Sequence, residues 1–151
     1  MKHIQFFLFA LCCCGSFAQE RPSPYTAVES FFEAFHAKDS LAMQDSFVPE
    51  ARLMRAVTQA GRAPVQINDL QRFIRAVAAR KASPKWEERL GKPIVQEHLN
   101  LATVWVPFRF YLDETLSHCG YNAFSLVWAG ESWKILSLID TGTKDCDQLL
   151  F

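Results

Sequence analysis

His118, Asn122 and Asp140 are the side chains of this sequence best placed to do chemistry. The first two fall inside "SHCGYNAF", a polar interruption between the apolar runs "ATVWVPFRFYL" and "SLVW". A neutral imidazole has an ordinary pKa of about 6.5, so His118 is a candidate general acid or base. Asn122 offers both a donor and an acceptor to a ligand. Asp140 closes the apolar run "ILSLID". A carboxylate at the mouth of an apolar cavity can have its pKa raised and carry protons, which makes Asp140 the second catalytic candidate. Each residue also has a plain structural reading. His118 would bond a turn carbonyl or water at the start of a strand, and Asn122 would bond across strands on a polar rim. Asp140 would bond nearby backbone in a strand-end turn with Thr141 and Gly142. Arg109 could grip an anion bidentately or make a surface ion pair.

Other chemistries find no support in the residue pattern. There is no HExxH, GxSxG, phosphate-cradling glycine loop or dinucleotide fingerprint. No Cys/His spacing suits a metal, so none is expected, and any reaction here would be cofactor-free proton transfer. Lys plus Arg and Asp plus Glu number 16 each and are interspersed, which leaves no electrostatic footprint for nucleic acid.

The elements that must position these groups follow from hydrophobic periodicity. "MKHIQFFLFALCCCGSFAQE" has a basic start, a short apolar block and small residues before Gln19, the pattern of a secretory signal peptide cut after Ala18. Residues 1–18 are therefore read as a signal and 19–151 as one domain, secreted or periplasmic. No later stretch is long enough to span a membrane. A lipoprotein signal is disfavoured because none of Cys12, Cys13 and Cys14 has the small residue before it that a lipobox needs. The cut leaves Cys119 and Cys146, which an oxidising compartment would allow to pair. Such a bridge would stabilise by roughly 3 to 4 kcal/mol on the chain-entropy model.

"TAVESFFEAFHAKD" predicts a helix with Thr26 and Glu29 as a capping box and Val28, Phe31, Phe32 and Phe35 on one face. His36 would sit at its C-terminal end, favoured there by the dipole. Asp39 caps a second helix running to about Phe47 and ended by Pro49. "ARLMRAV" reads as strand and "TQAGRAP" as loop. "NDLQRFIRAVAARK" is a helix with Asn68 and Gln71 in capping-box positions. Beyond Pro84 the period changes to two, and "KWEERLG", "PIVQEHL", "LATVWVPFRFYL", "LSHCGYNAFSLVW" and "SWKILSLID" read as strand, joined by short antiparallel connections. The class is α+β, a curved antiparallel sheet wrapped around N-terminal helices in the order α-α-β-α-β-β-β-β.

Alternation puts His118, Gly120, Asn122, Phe124 and Leu126 on one face of their strand, with Cys119, Tyr121, Ala123, Ser125 and Val127 on the other. In the preceding strand Val104, Val106, Phe108 and Phe110 form an apolar face. In the last, Leu136, Leu138 and Asp140 alternate with Ile135, Ser137 and Ile139. Both faces of these strands are substantially apolar. One must pack on the helices, and the other lines a cavity or meets a partner.

The segments "VESFFEAFHAKDSLAMQDSF", "ATVWVPFRFYLDETLSHCGYNAFSLV" and "SWKILSLIDT" together resemble the nuclear-transport-factor-two-like superfamily. They look most like its secreted bacterial members grouped as lumazine-binding-like or polyketide-cyclase-like proteins. The resemblance implies a cone-shaped fold with a pocket at its open end. It leaves function open among binding modules, isomerases, cyclases, dehydratases and dimerisation domains. The expectation that follows is a small apolar or aromatic ligand walled by Phe31, Phe35, Phe108 and Phe110 and anchored by His118, Asn122 and Asp140. A homodimer would use the outer face, through Trp105, Arg109 and Tyr111.

Overall fold

The computed structural model describes residues 21–57, 64–147 and 149. The expected signal peptide and most of the "TQAGRAP" loop lie outside the described residues. Helix α1 spans Pro24–Ala37, α2 Ser40–Asp45 and α3 Leu70–Ala79. The strands are β1 Phe47–Ala56, β2 Val65–Asn68, β3 Trp86–Leu90, β4 Ile94–His98, β5 Leu101–Leu112, β6 Thr115–Trp128 and β7 Trp133–Asp140. They form one seven-stranded sheet in the order β2-β1-β7-β6-β5-β3, with β4 also paired to β5. The architecture is the α+β one expected, with helices on one side of a curved sheet. Its pairings are antiparallel except for β1 beside β7, which is parallel.

The sheet holds two strands more than the order α-α-β-α-β-β-β-β, though only β2 lies outside the segments read as strand. Val65–Asn68 pairs with Leu53–Ala56 as β2, a short edge strand next to the stretch read as loop. Strands β3 and β4 are distinct, yet they share one column of the sheet. Trp86–Leu90 runs along Phe108–Leu112, and Ile94–His98 along Leu101–Trp105, the two halves of β5.

Helix boundaries shift for reasons visible in the caps. Helix α1 starts at Pro24 with Ser23 as N-cap, its hydroxyl accepting from the Tyr25 amide, so Thr26 lies inside the helix. Proline at the first helical position costs no hydrogen bond, which lets the helix begin before the capping box. Asp39 caps α2 as expected, but that helix ends at Asp45, and Phe47 and Pro49 belong to β1. Asp69, one residue after the expected Asn68, caps α3 by accepting from the Arg72 amide.

The apolar face of α1 makes the core. Val28, Phe31, Phe32 and Phe35 are buried against Phe47 of β1, Phe124 and Leu126 of β6 and Ile135 of β7. Phe31 meets Phe47 edge-on at 5.3 Å and Phe124 at 6.5 Å, and Phe32 meets Phe124 at 6.3 Å. Burial of each such ring contributes about 2 to 3 kcal/mol. The simple alternation expected along β7 fails at one place. The β6–β7 register shifts between Ser125 and Leu126, so Ile135 and Leu138 both point inward while Leu136 is 38% exposed. A bulge of this kind changes which side chains face the core within one strand.

Beyond Asp140 the chain continues along β6 as a strap. Thr141 donates its amide to the Tyr121 carbonyl at 3.0 Å, and Thr143 and Cys119 exchange both backbone bonds at 2.8 and 3.0 Å. Cys119 is bonded to Cys146. Gly120 makes the close approach feasible, because a Cβ there would lie 2.2 Å from the Thr141 carbonyl oxygen. Gly120→Ala is therefore expected to destabilise the protein by about 1 to 3 kcal/mol, the range for overpacking a filled site. Urea unfolding of the two proteins measures the loss, and equal midpoints would show that the strap yields without cost.

Candidate functional site

The sheet bends away from α1 at one end and leaves a cavity of about 990 Å³ between its inner face, α1, α3 and β2. Phe31, Phe35, Phe108, Phe110, His118, Asn122 and Asp140 all line it. The seven residues singled out from the sequence are thus brought to one place. Trp105, Arg109 and Tyr111 are not among the lining residues. Trp105 is 44% exposed and stacks on Tyr121 at 4.8 Å. A single inner sheet face therefore packs on the helix at one end and walls the cavity at the other.

One wall is a ladder of rings. Phe73 of α3 stacks on Phe35 at 6.3 Å and 11°, and Phe35 lies 6.5 Å from Trp86. Trp86 meets Phe110 at 6.0 Å, and Phe110 meets the His118 imidazole at 5.0 Å. Such surfaces favour flat, polarisable guests.

Two polar pairs line the cavity from β1, β3, β6 and β7, while Gln66, Asn68, Asp69 and Arg72 add polar groups from β2 and the start of α3. Asn122, only 3% exposed, donates from Nδ2 to Glu88 Oε1 at 2.7 Å. Arg55 of β1 grips both carboxylate oxygens of Asp140, from Nε at 2.9 and 3.2 Å and also from Nη2. Neighbouring strands set this geometry, since Asn122 is the ladder partner of Asp140 and Arg55 faces Asp140 across the parallel β1–β7 pair. Asp140 is thus an ion-pair member rather than a turn aspartate bonding local backbone.

Glu88 and Arg55 escaped the sequence reading. Glu88 sits in "KWEERLG", where charges on both sides disguise it. The available signal was period two, which places Glu88 on one face with Trp86 and Leu90 and leaves Glu87 and Arg89 outside, paired at 2.8 Å. The Glu88 amide donates to His36 Nε2 at 2.9 Å. That nitrogen must be unprotonated to accept, so His36 is a neutral structural acceptor, not a cation favoured by the helix dipole. Burial, the largest influence on it, pushes the His36 pKa down.

Burial also dominates at Glu88 and raises its carboxyl to about 8. The Asn122 amide opposes the rise, the Asp140 charge adds to it, and the Arg55 charge opposes it. Burial lowers His118, with Arg55 pushing the same way and Asp140 the other. At neutral pH the site therefore holds a protonated carboxyl, a neutral imidazole and one closed ion pair. Among the described residues no cluster of three or more His, Cys, Asp or Glu could hold a metal ion. No helix among them is long and apolar enough to cross a membrane.

This cone, with its bent sheet and interior cavity, is the NTF2-like or cystatin-like fold. Solved structures of that class superpose over most of the chain. An NTF2-like protein of unknown function from Shewanella baltica matches with a TM-score of 0.59 at 12% identity, covering 80% of this chain and 90% of its own. A protein of unknown function with a cystatin-like fold from Nostoc punctiforme gives 0.64 at 11%, covering 83% and 92%. An NTF2-like protein from Pseudomonas putida gives 0.64 at 12%, covering 82% and 86%. Identities this low carry the fold alone. The chain matches no family model and no curated protein.

The raised Glu88 carboxyl makes stability depend on pH. Below its ordinary value of 4.5, folded and unfolded chains both carry the proton. Between there and about 8 the folded protein keeps the proton that the unfolded chain has lost, so stability falls as pH rises. The slope contributed is at most about 1.4 kcal/mol per pH unit. Glu88→Gln removes this contribution, so urea midpoints of variant and parent should diverge from about pH 5 to about pH 8. Parallel curves would mean that Glu88 ionises as an ordinary carboxylate.

Proposed function

We propose that the chain binds a small, uncharged, largely aromatic molecule in the cavity between α1 and the inner face of the sheet. The observation that carries this reading is a space of about 990 Å³ walled by a ladder of rings and lined as well by the Asn122–Glu88 and Arg55–Asp140 pairs. Ligand sites commonly combine such a volume with a few placed polar groups. The ring ladder would sandwich the flat body of the ligand. The protonated Glu88 and Asn122 would meet a carbonyl or amide at its end. The Arg55–Asp140 pair consumes its own charges, which is why an uncharged guest is favoured over an anion.

A thermal-shift screen with aromatic heterocycles and polycyclic ketones tests the reading, and isothermal titration measures the hits. A binder should raise the unfolding temperature, and Phe110→Ala should weaken it about tenfold by removing a rung of the ladder. A broad panel without a single shift would defeat the proposal. The export reading keeps its own support in the signal-like N-terminus and the Cys119–Cys146 bond. N-terminal sequencing of exported protein should begin at Gln19.

A second reading, cofactor-free isomerase or dehydratase chemistry, is favoured by Glu88 specifically. Both oxygens of Asp140 are engaged by Arg55, whereas Glu88 holds a proton near working pH where the proposed ligand's carbonyl would lie. Glu88, rather than Asp140 or His118, would then give and take the proton. On a turned-over ligand, Glu88→Gln should lower kcat about a hundredfold or more. Turnover equal to the parent would remove Glu88 from that role.

A further inference from the structure

The strap after β7 runs past two groups that line the cavity, Arg55 and His118. The last β6–β7 ladder pair is Asn122 with Asp140, and both residues line the cavity. From Thr141 onward the chain lies against the end of β6, and Gly142 packs beside two cavity-lining groups. A side chain at Gly142 would stand 3.9 Å from Arg55 Cζ and 3.9 Å from His118 Cδ2. The strap thus lies beside the guanidinium and the imidazole.

Very little holds it there. Gly142 through Asp145 are exposed, so this segment brings no apolar anchor of its own. Besides its backbone bonds to Tyr121 and Cys119, the strap has the Tyr121 amide donating to the Thr141 hydroxyl at 3.0 Å, and each bond is worth little net of its exchange with water. The Cys119–Cys146 bond is what ties it to the interior, since Cys119 is fully buried while Cys146 is partly exposed. The main core cluster of α1 and the inner sheet is built without Cys119. Segments with few buried contacts open locally while the rest of a domain stays folded.

We propose that the Cys119–Cys146 disulfide is a redox-operated latch, whose reduction frees residues 141–146 from β6 and loosens the cavity-lining Arg55 and His118 beside them while the cone stays folded. The reductant is a dithiol. Its thiolate attacks the accessible Cys146 sulfur, and Cys119 leaves as a thiolate that takes up a proton. The second thiol of the reductant then displaces Cys146, which is protonated in turn, and the reductant departs as a cyclic disulfide. The consequence for a ligand rests on the binding reading above, because release of the strap would loosen Arg55, Asp140 and His118 together.

The test compares the protein before and after treatment with a small dithiol, alongside Cys146→Ser without reductant. Native-state hydrogen exchange and the His118 titration, both read by NMR, report on the strap without any ligand. Reduction should speed exchange at the Thr141 and Thr143 amides about tenfold or more and leave α1 and β5 protected. The His118 midpoint should rise toward its ordinary value as solvent reaches the ring. Unchanged protection of the strap would overturn the latch. So would loss of protection throughout the chain in both the reduced protein and Cys146→Ser, which would make the bond a general staple. An aromatic hit from the screen should bind the reduced protein about fivefold more weakly. If the screen yields no ligand, the binding reading fails, while exchange and the His118 titration still decide the latch.

Discussion

A straight helix laid on a strongly bent sheet can touch it along only part of its length. Here the contact is made by Phe31 and Phe32, wedged edge-on against Phe47 and Phe124. These rings fix the distance between α1 and the sheet at the closed end of the cone. Where the sheet curves away, toward Phe108 and Phe110, the same spacing leaves a gap that the helix cannot fill. The cavity is thus a geometric consequence of the core. Its aromatic lining follows too, because Phe35 and Phe108 are continuations of the faces that build the packed end.

An apolar gap of this size would accept polar groups only if they were matched. The structure matches them in pairs, one between the adjacent β1 and β7 and one reaching across β5 from β6 to β3. Asn122 serves Glu88, and Arg55 serves Asp140. Burying a charge without a partner is costly, and each pair avoids that cost differently. Arg55 and Asp140, nearer solvent with side chains 44% and 19% exposed, are matched to one another as a salt bridge. Glu88 has a neutral amide for a partner, so it relieves the cost by keeping its proton. Burial keeps the proton on Glu88 against the pull of Asn122, while Asp140 is matched by a guanidinium.

Much of this was legible in the sequence because it depends on local pattern. The ring spacing of α1, the shift to period two after Pro84 and the cysteines at 119 and 146 point to helix, sheet and crosslink. The candidate residues His118, Asn122 and Asp140 stood out because each interrupts an apolar run. Glu88 and Arg55 did not stand out, since "KWEERLG" and "ARLMRAV" mix charge and bulk without contrast. Their importance comes from pairing across strands far apart in sequence, as with Arg55 beside Asp140 through the parallel β1–β7 contact. Register of that kind depends on topology. The inward turn of both Ile135 and Leu138 was hidden for a related reason, because a bulge breaks the alternation by which faces are read.

The Arg55–Asp140 pair also explains why Gly120 and the disulfide occur where they do. Asp140 must end β7 with its carboxylate turned inward to Arg55, so the chain leaves the sheet directly beside the cavity. It has no apolar residue from Gly142 to Asp145 to hold it down. A close approach to β6 over Gly120 recovers backbone bonds, and Cys146 reaches the buried Cys119 just beyond. Without those two features the chain end would sway against the groups that complete the cavity. The residues that shape the site therefore extend past those lining it. They include a glycine whose missing side chain admits a carbonyl and a cysteine that faces away from the cavity altogether.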